Sequence, residues 1–300
     1  MRLGTPGEEK EGVYQGVDFL RDVALGKSPD LKGKRVAVVG GGNVAIDAAR
    51  TAWRLGAGEV NVIYRRTRQD MPAYAEEIEA AEQEGIIFHF LSNPVRVLGP
   101  AKVTAVEVQH QQLGDFDPSG RRRPVPVEGS VFQLSVDFLI PAIGQRPDSA
   151  CIDGAGVDVK RDSTFNVSKE LVTSRPGVFA AGDAVSGPAS VIEAVAQGNR
   201  VARSVDSYLR TGKEEKFDSR PIVHFPGLTW DMEQYGEVAR LRPRHMEVKA
   251  RRASFQEVEL GQDEQIIREE CKRCLRCDLE WLESHPEARE PECKVAAEGR

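Results

Sequence analysis

The sequence predicts an α/β protein, and three observations carry that prediction. The first is Arg35-Val36-Ala37-Val38-Val39, an apolar run of strand length that meets Gly40, Gly41 and Gly42 and passes into helix-period spacing at Ala45, Ala48, Ala49, Ala52 and Trp53. The second is Val60-Asn61-Val62-Ile63-Tyr64, which reads as the next strand. The third is Val136 to Gly144, a buried strand that breaks at small residues. Strand, glycine turn and helix in that order open a Rossmann-like three-layer nucleotide-binding domain, placed here at residues 35–147.

Read from Gly40, the turn is Gly-x-Gly-x-x-Ala. The first glycine allows the tight turn, Gly42 lets backbone approach a pyrophosphate, and the small Ala45 lets the helix pack close to its strand. Exposed N–H groups around Gly42, Asn43 and Val44, with the positive end of the helix dipole, favour a phosphate there. A glycine-rich turn without a ligand is the alternative. The order of elements favours the site.

The end of the second strand bears on the cofactor. A site that prefers NAD carries an acidic residue roughly 20 residues past the glycines, to bond the ribose hydroxyls. Here Arg65 and Arg66 stand at that point, with Arg68 close by. Guanidinium forks suit a 2′-phosphate, so the expectation is NADP(H) rather than NAD(H). For Arg68 an ordinary solvated face is an equal reading.

The remaining elements follow in order. Tyr14 to Leu25 has near-helical apolar spacing, within a lead-in of residues 1–34. Ala75 to Glu84 reads as a helix, and Ile86 to Leu91 as a short strand in which the lone His89 is structural. Val95–Leu98, Val103–Gln109 and Val131–Leu134 suggest an antiparallel meander, with a loop from Gly114 to Pro126 between the later strands. The basic run Arg121-Arg122-Arg123 falls in that loop and reads as a solvated hairpin tip. Gly177 to Asp183 reads as a short buried strand ending in Gly182-Asp183, and Ser190 to Leu209 as a helix. Near the end, a helix around Asp263–Glu270 leads into Cys271, Cys274 and Cys277, with Cys293 further on. Soft thiolates at that spacing suit an iron–sulfur cluster or zinc. The [4Fe-4S] cluster is put first; zinc and unligated cysteines are the alternatives.

Bulk properties exclude several classes. A chain of 300 residues suffices for two domains and a core that needs no disulfide staples. A net charge of −6 leaves no global basic field for nucleic acid. No apolar run is long enough to span a membrane, and no signal-peptide core opens the chain, so the default is a cytoplasmic protein. Four of the five cysteines cluster near the C-terminus, which suits metal chemistry better than a secreted disulfide framework.

Several stretches together resemble the small (beta) subunit of glutamate synthase and its relatives, NADPH-dependent flavoproteins of the pyridine nucleotide-disulfide oxidoreductase class. They are Gly40 to Arg50, Val62-Ile63-Tyr64-Arg65-Arg66-Thr67, Met71-Pro72-Ala73, Pro141 to Pro147, Pro176 to Asp183, and Ala194 to Gly198. The resemblance implies that Ala142, Ile143 and Gly144 lie beside the nucleotide; a plain strand end before a turn is an equal reading. The resemblance also implies that residues 148–210 are the returning half of a FAD-binding domain. There Asp183 would bond the flavin ribityl chain beside Gly182, and backbone N–H groups at Val191 and Ile192 would face the flavin ring. Residues 211–300 resemble the family's extended arm, in which Arg273-Cys274-Leu275-Arg276-Cys277 is common and Cys271 is an addition. In the family a FAD-binding βαβ unit precedes the segment matched here, so the expectation is a fragment or one part of a split protein.

Two functions follow. In the first, NADPH reduces FAD and electrons pass to an iron–sulfur or catalytic partner subunit, with another chain supplying the FAD unit. No catalytic side chain is required, because hydride transfer is cofactor chemistry. In the second, the chain is a non-catalytic nucleotide-binding or assembly subunit.

Overall fold

The structure is a computed structural model and describes residues 1–117, 120–213 and 241–271. The chain divides into two compact units, residues 1–217 with 247–256, and residues 218–246 with 257–300.

Four parallel strands form the central sheet of the first unit: β1 (Arg35–Val39), β2 (Glu59–Ile63), β3 (Ile87–His89) and β7 (Phe138–Pro141), in the order β3-β2-β1-β7. The side-chain period of two divides these strands between two cores. Val36, Val38, Val60, Val62, Phe138 and Ile140 face one layer. That layer is helical: α1 (Gly16–Ala24), α2 (Asn43–Arg54) and α3 (Ala75–Gln83) contribute Phe19, Ile46 and Ile78. Ala37, Val39, Ile63 and Leu139 face the other layer. There β4 (Ser92–Leu98), β5 (Ala105–Phe116) and β6 (Arg122–Ser135) form an antiparallel sheet that brings in Val97, Val106 and Val108. The result is a three-layer α/β arrangement. Both faces of the parallel sheet are covered, which is why its strands read as continuous apolar runs.

Ala45, Ala48, Ala49 and Ala52 are all fully buried on α2, so at these four positions only a methyl separates the helix from its neighbours, while Ile46 fills the core beside them. Outside the core, Arg35 donates its backbone N–H and guanidinium to Asp137, tying the start of β1 to the residue before β7.

Two elements differ from expectation. The loop expected at Gly114–Pro126 is mostly strand, because β5 runs to Phe116 and β6 begins at Arg122. Pro124 and Pro126 are tolerated because β6 is an edge strand, and residues two apart turn their missing N–H groups to the same side. The strand expected at Gly177–Asp183 makes only an isolated bridge, Val172 with Phe179, because no long strand lies beside it to extend a ladder. It is followed by α4 (Asp183–Ser186) and the long α5 (Val191–Thr211). The first unit also includes α6 (Val248–Arg251).

In the second unit, β8 (Arg244–His245) pairs antiparallel with β9 (Glu259–Leu260), and α7 (Glu264–Cys271) follows. Cys274, Cys277 and Cys293 lie outside the described residues.

Candidate nucleotide site

The mouth lies where β1 hands over to α2, and each of its three glycines has its own reason. Gly40 has φ +146°, and a Cβ there would overlap the carbonyl oxygen of Ala142. Only glycine lets β1 turn this close to the end of β7. Gly41, nominally the free position of the motif, is required by packing, since a Cβ would overlap the Tyr64 ring. Gly42 differs, because the nearest atom to a Cβ there is Pro72 Cγ at 3.9 Å. The protein thus fills the space above Gly40 and Gly41 and leaves it open above Gly42. Gly42 is the N-cap of α2 without a side-chain cap. The amides of Gly42, Asn43 and Val44 make no intramolecular bond among the described residues. Three donors and a helix N-terminus over open space fit a pyrophosphate.

The walls of this mouth come from separate parts of the chain. Ala73 N–H donates to Gly41 O (3.1 Å) and Tyr74 N–H to Asn43 Oδ1 (3.1 Å), which stitches Met71-Pro72-Ala73 to the glycine turn. Asn43 therefore holds a wall with its side chain and offers only its amide to a ligand. Ala142 N–H donates to Val39 O (2.7 Å), placing Ala142, Ile143 and Gly144 beside the turn. A Cβ at Gly16 would sit 3.0 Å from Ala142 Cβ and 3.3 Å from Val44 Cγ1, so α1 closes the same corner. Ile143 is 39% exposed, and Gly144 has φ +126°.

Tyr64 was missed as a site residue by sequence reasoning. Its ring packs under Gly41, and its hydroxyl donates to Asp70 O (2.7 Å). Burial pushes its phenol pKa up. Asp70 accepts from the Thr67 hydroxyl (2.5 Å) and N–H (3.1 Å), and that hydroxyl bond holds its carboxyl below the usual range. The signal available in the sequence was the third glycine at a position where the motif demands none.

The arginines part company. Arg65 is exposed and has no side-chain partner among the described residues. Arg66 is buried, donating from Nε to Arg122 O (2.9 Å) and from Nη2 to Asp117 (3.2 Å). Two of its nitrogens are thus committed to the β5–β6 hairpin rather than free for a phosphate. Arg68 is paired through both Nε and Nη2 with Glu82, which is its solvated-face reading.

The expected flavin residues gather at a second place. Gly182, with φ +69°, donates its N–H to Gln197 Oε1 of α5 (2.7 Å). That bond ties the Gly182-Asp183 turn to α5. Ser190 caps α5 with a reciprocal box to Glu193, which leaves the amides of Val191 and Ile192 unbonded among the described residues. Asp183 is exposed, and the Val191 and Ile192 side chains are 82% and 72% exposed. Of the cysteines expected to hold a metal, only Cys271 is described; it is exposed at the end of α7.

Residues 1–198 match the family described as pyridine nucleotide-disulphide oxidoreductase. The chain belongs to this family. It is 46% identical over 288 residues to the NADP(+)-dependent formate dehydrogenase subunit beta of Moorella thermoacetica, covering 92% of this chain and 40% of that protein. It is 38% identical over 313 residues to the NADPH-Fe(3+) oxidoreductase subunit beta of Geobacter sulfurreducens, covering 92% and 46%. The glutamate synthase [NADPH] small chain of Halomonas elongata is 34% identical over 223 residues, covering 70% and 47%. The chain thus spans less than half the length of these relatives. Mycobacterium tuberculosis FprA in complex with NADPH shares the fold at a TM-score of 0.59 and 20% identity, over 72% of this chain and 64% of that one. The resemblance in sequence and the three-layer α/β expectation both stand. No helix among the described residues is long and apolar enough to cross a membrane.

Proposed function

We propose that this chain is the nucleotide-binding part of an NADPH-dependent flavoprotein oxidoreductase that feeds electrons to an iron–sulfur partner subunit. The observation that carries the reading is the open space over Gly42, ringed by the free amides of Gly42, Asn43 and Val44. These amides would hold the dinucleotide pyrophosphate. Arg65, exposed at the end of β2, would take the 2′-phosphate, and buried Arg66 would hold the adjoining hairpin in place. Ala142, Ile143 and Gly144 would border the nicotinamide side of the mouth. Asp183, with the amides of Val191 and Ile192, would take part of a flavin. When bound, the two cofactors supply the hydride transfer; the chain's own work is binding, orienting and excluding water. The names of three relatives, two with NADPH and one with NADP(+), support the choice of nucleotide. Their being subunits or a small chain supports a partner. Cys271, Cys274, Cys277 and Cys293 are proposed to hold a [4Fe-4S] cluster, with zinc as the alternative.

A second reading is a nucleotide-binding assembly subunit without its own flavin.

Fluorescence titration of the full chain with NADPH and NADH tests the first reading. Arg65→Ala should weaken NADPH about tenfold, the size of a lost charge-assisted bond, and leave NADH unchanged. Equal loss for both would remove the 2′-phosphate assignment. Flavin bands in the visible spectrum of the purified chain would favour the first reading; a colourless protein that binds NADPH favours the second. A broad shoulder lost in Cys274→Ser would identify the cluster.

A further inference from the structure

The basic run at the β5–β6 hairpin was expected to be a solvated tip, but the structure ties this tip to the end of β2. Arg66 Nε holds Arg122 O at 2.9 Å, and its Nη2 holds Asp117 at 3.2 Å. Asp117 then shapes the turn, since its N–H donates to Arg121 O (2.7 Å) and its Oδ1 accepts from Arg121 N–H (3.2 Å). Arg122 spends its guanidinium on Leu113 O (3.0 Å) and Gly114 O (3.1 Å) across the hairpin. Arg121 differs from its neighbour. Its side chain is exposed and has no partner among the described residues. The Arg66–Arg122 and Arg66–Asp117 bonds nevertheless set the Arg121 backbone beside the end of β2, next to the Tyr64–Asp70 wall of the mouth. The residue next to Arg66 in the chain is Arg65, likewise exposed and unpaired. Arg65 and Arg121, 56 positions apart in sequence, are thus the chain neighbours of Arg66 and of the Arg122 that it holds, both exposed and without a side-chain partner among the described residues.

We propose that Arg121 is a second specificity-determining residue for the 2′-phosphate of NADP(H), acting with Arg65 from the opposite element. The inference rests on the NADPH reading of the mouth. Arg66 is a positioning residue in this scheme, because it touches the hairpin and not the phosphate. Two guanidinium groups on separate elements grip a dianion from two directions, which one strand end cannot do alone.

The test is calorimetric titration of the full chain with 2′,5′-ADP and with 5′-AMP, which share the adenosine but differ in the 2′-phosphate. Arg121→Ala should weaken 2′,5′-ADP about tenfold, leave 5′-AMP unchanged, and leave the melting temperature unchanged because the exposed side chain makes no hydrogen bond or ion pair among the described residues. Arg121→Lys should recover part of the loss, since it keeps the charge without the fork. Unchanged 2′,5′-ADP affinity in Arg121→Ala, with loss in Arg65→Ala, would overturn the role of Arg121 and leave the NADPH reading standing. Wild-type protein that binds 2′,5′-ADP no better than 5′-AMP would overturn that reading itself, and this inference with it. An equal loss for both ligands, or a lowered melting temperature in Arg121→Ala, would make Arg121 structural and also overturn the proposal.

Discussion

The region around β1, β2 and β7 is strands under helices, whereas the region from residue 148 to 213 has helices and isolated bridges only, and the two are built differently. In the first, all of Val36, Val38, Val60, Val62 and Leu139 are fully buried, with a layer on each side of the sheet. In the second, the 21-residue helix α5 has a single buried residue, Ser204, which donates to Glu170 O. Its apolar Val191, Ile192, Val195 and Leu209 are exposed. Beside the buried Leu171 and Val172, this region is held by the Gly182–Gln197 bond, by Thr173 with Val178 and Arg175, and by one edge-to-face pair, Phe179 with Tyr208. The difference teaches where stability and recognition sit. The first region is closed on itself, and α5 leaves apolar side chains exposed.

The largest expected effect breaks the closed region at its charged hub. Glu84, 1% exposed in its side chain, receives Arg50 and Arg54 by hydrogen bonds and has Arg251 of α6 at 3.7 Å; Glu77 is a further partner of Arg50. Beside it, Arg252 stacks on Trp53 at 3.8 Å and donates to Ala57 O, so residues 247–256 are clipped to α2. Glu84→Leu leaves buried arginines without their common acceptor and should cost about 3–5 kcal/mol in urea unfolding. A loss below 1 kcal/mol would show that the hub is not what closes this region.

The glycine mouth sharpens the comparison next. Gly40→Ala should cost about 3 kcal/mol, from positive φ together with overlap on Ala142 O. Gly42→Ala, with nothing closer than 3.9 Å, should change stability by less than about 1 kcal/mol and yet weaken NADPH. If both variants behave alike, the space above Gly42 is not reserved for a ligand.

Smaller still is the Arg35–Asp137 tie, which is partly exposed and therefore screened. Hydrogen bonding from Arg35 holds the Asp137 carboxyl below its ordinary value. Its stabilising contribution is complete above the unfolded carboxyl value near about 4 and is lost as pH falls through the lowered folded value. Asp137→Asn should therefore cost about 1 kcal/mol at pH 7 and progressively less below about pH 4, read from paired unfolding curves. A pH-independent difference would deny the tie. Smallest is Ile192→Ser on α5, expected within about 0.5 kcal/mol in the isolated chain because the side chain is already in water. A larger loss would mean that α5 is covered after all.

Much of the closed region was legible in the sequence, because local patterns encode it. Arg35 to Val39, the glycines and the alanines of α2 state strand, turn and helix within twenty residues. Other features depend on partners distant in the chain. That Arg66 faces Asp117 and Arg122, that Tyr64 lies under Gly41, and that Gly114–Pro126 is mostly ribbon all require knowing which elements meet. Arg65 and Arg66 look equivalent in sequence and are separated only because the β5–β6 hairpin covers and binds Arg66 and leaves Arg65 exposed.

By itself, then, the sequence determined the class of fold, the glycine turn between strand and helix and the absence of an acidic residue roughly 20 residues past it. Those properties live in neighbouring residues and in the period of apolar side chains. Only the tertiary structure decided which arginine is buried and which are free, and which glycine faces open space. It also decided that a segment near residue 250 closes the nucleotide region. The physical reason is that burial and pairing belong to contacts between elements, and residues far apart in the chain acquire them only when the layers come together.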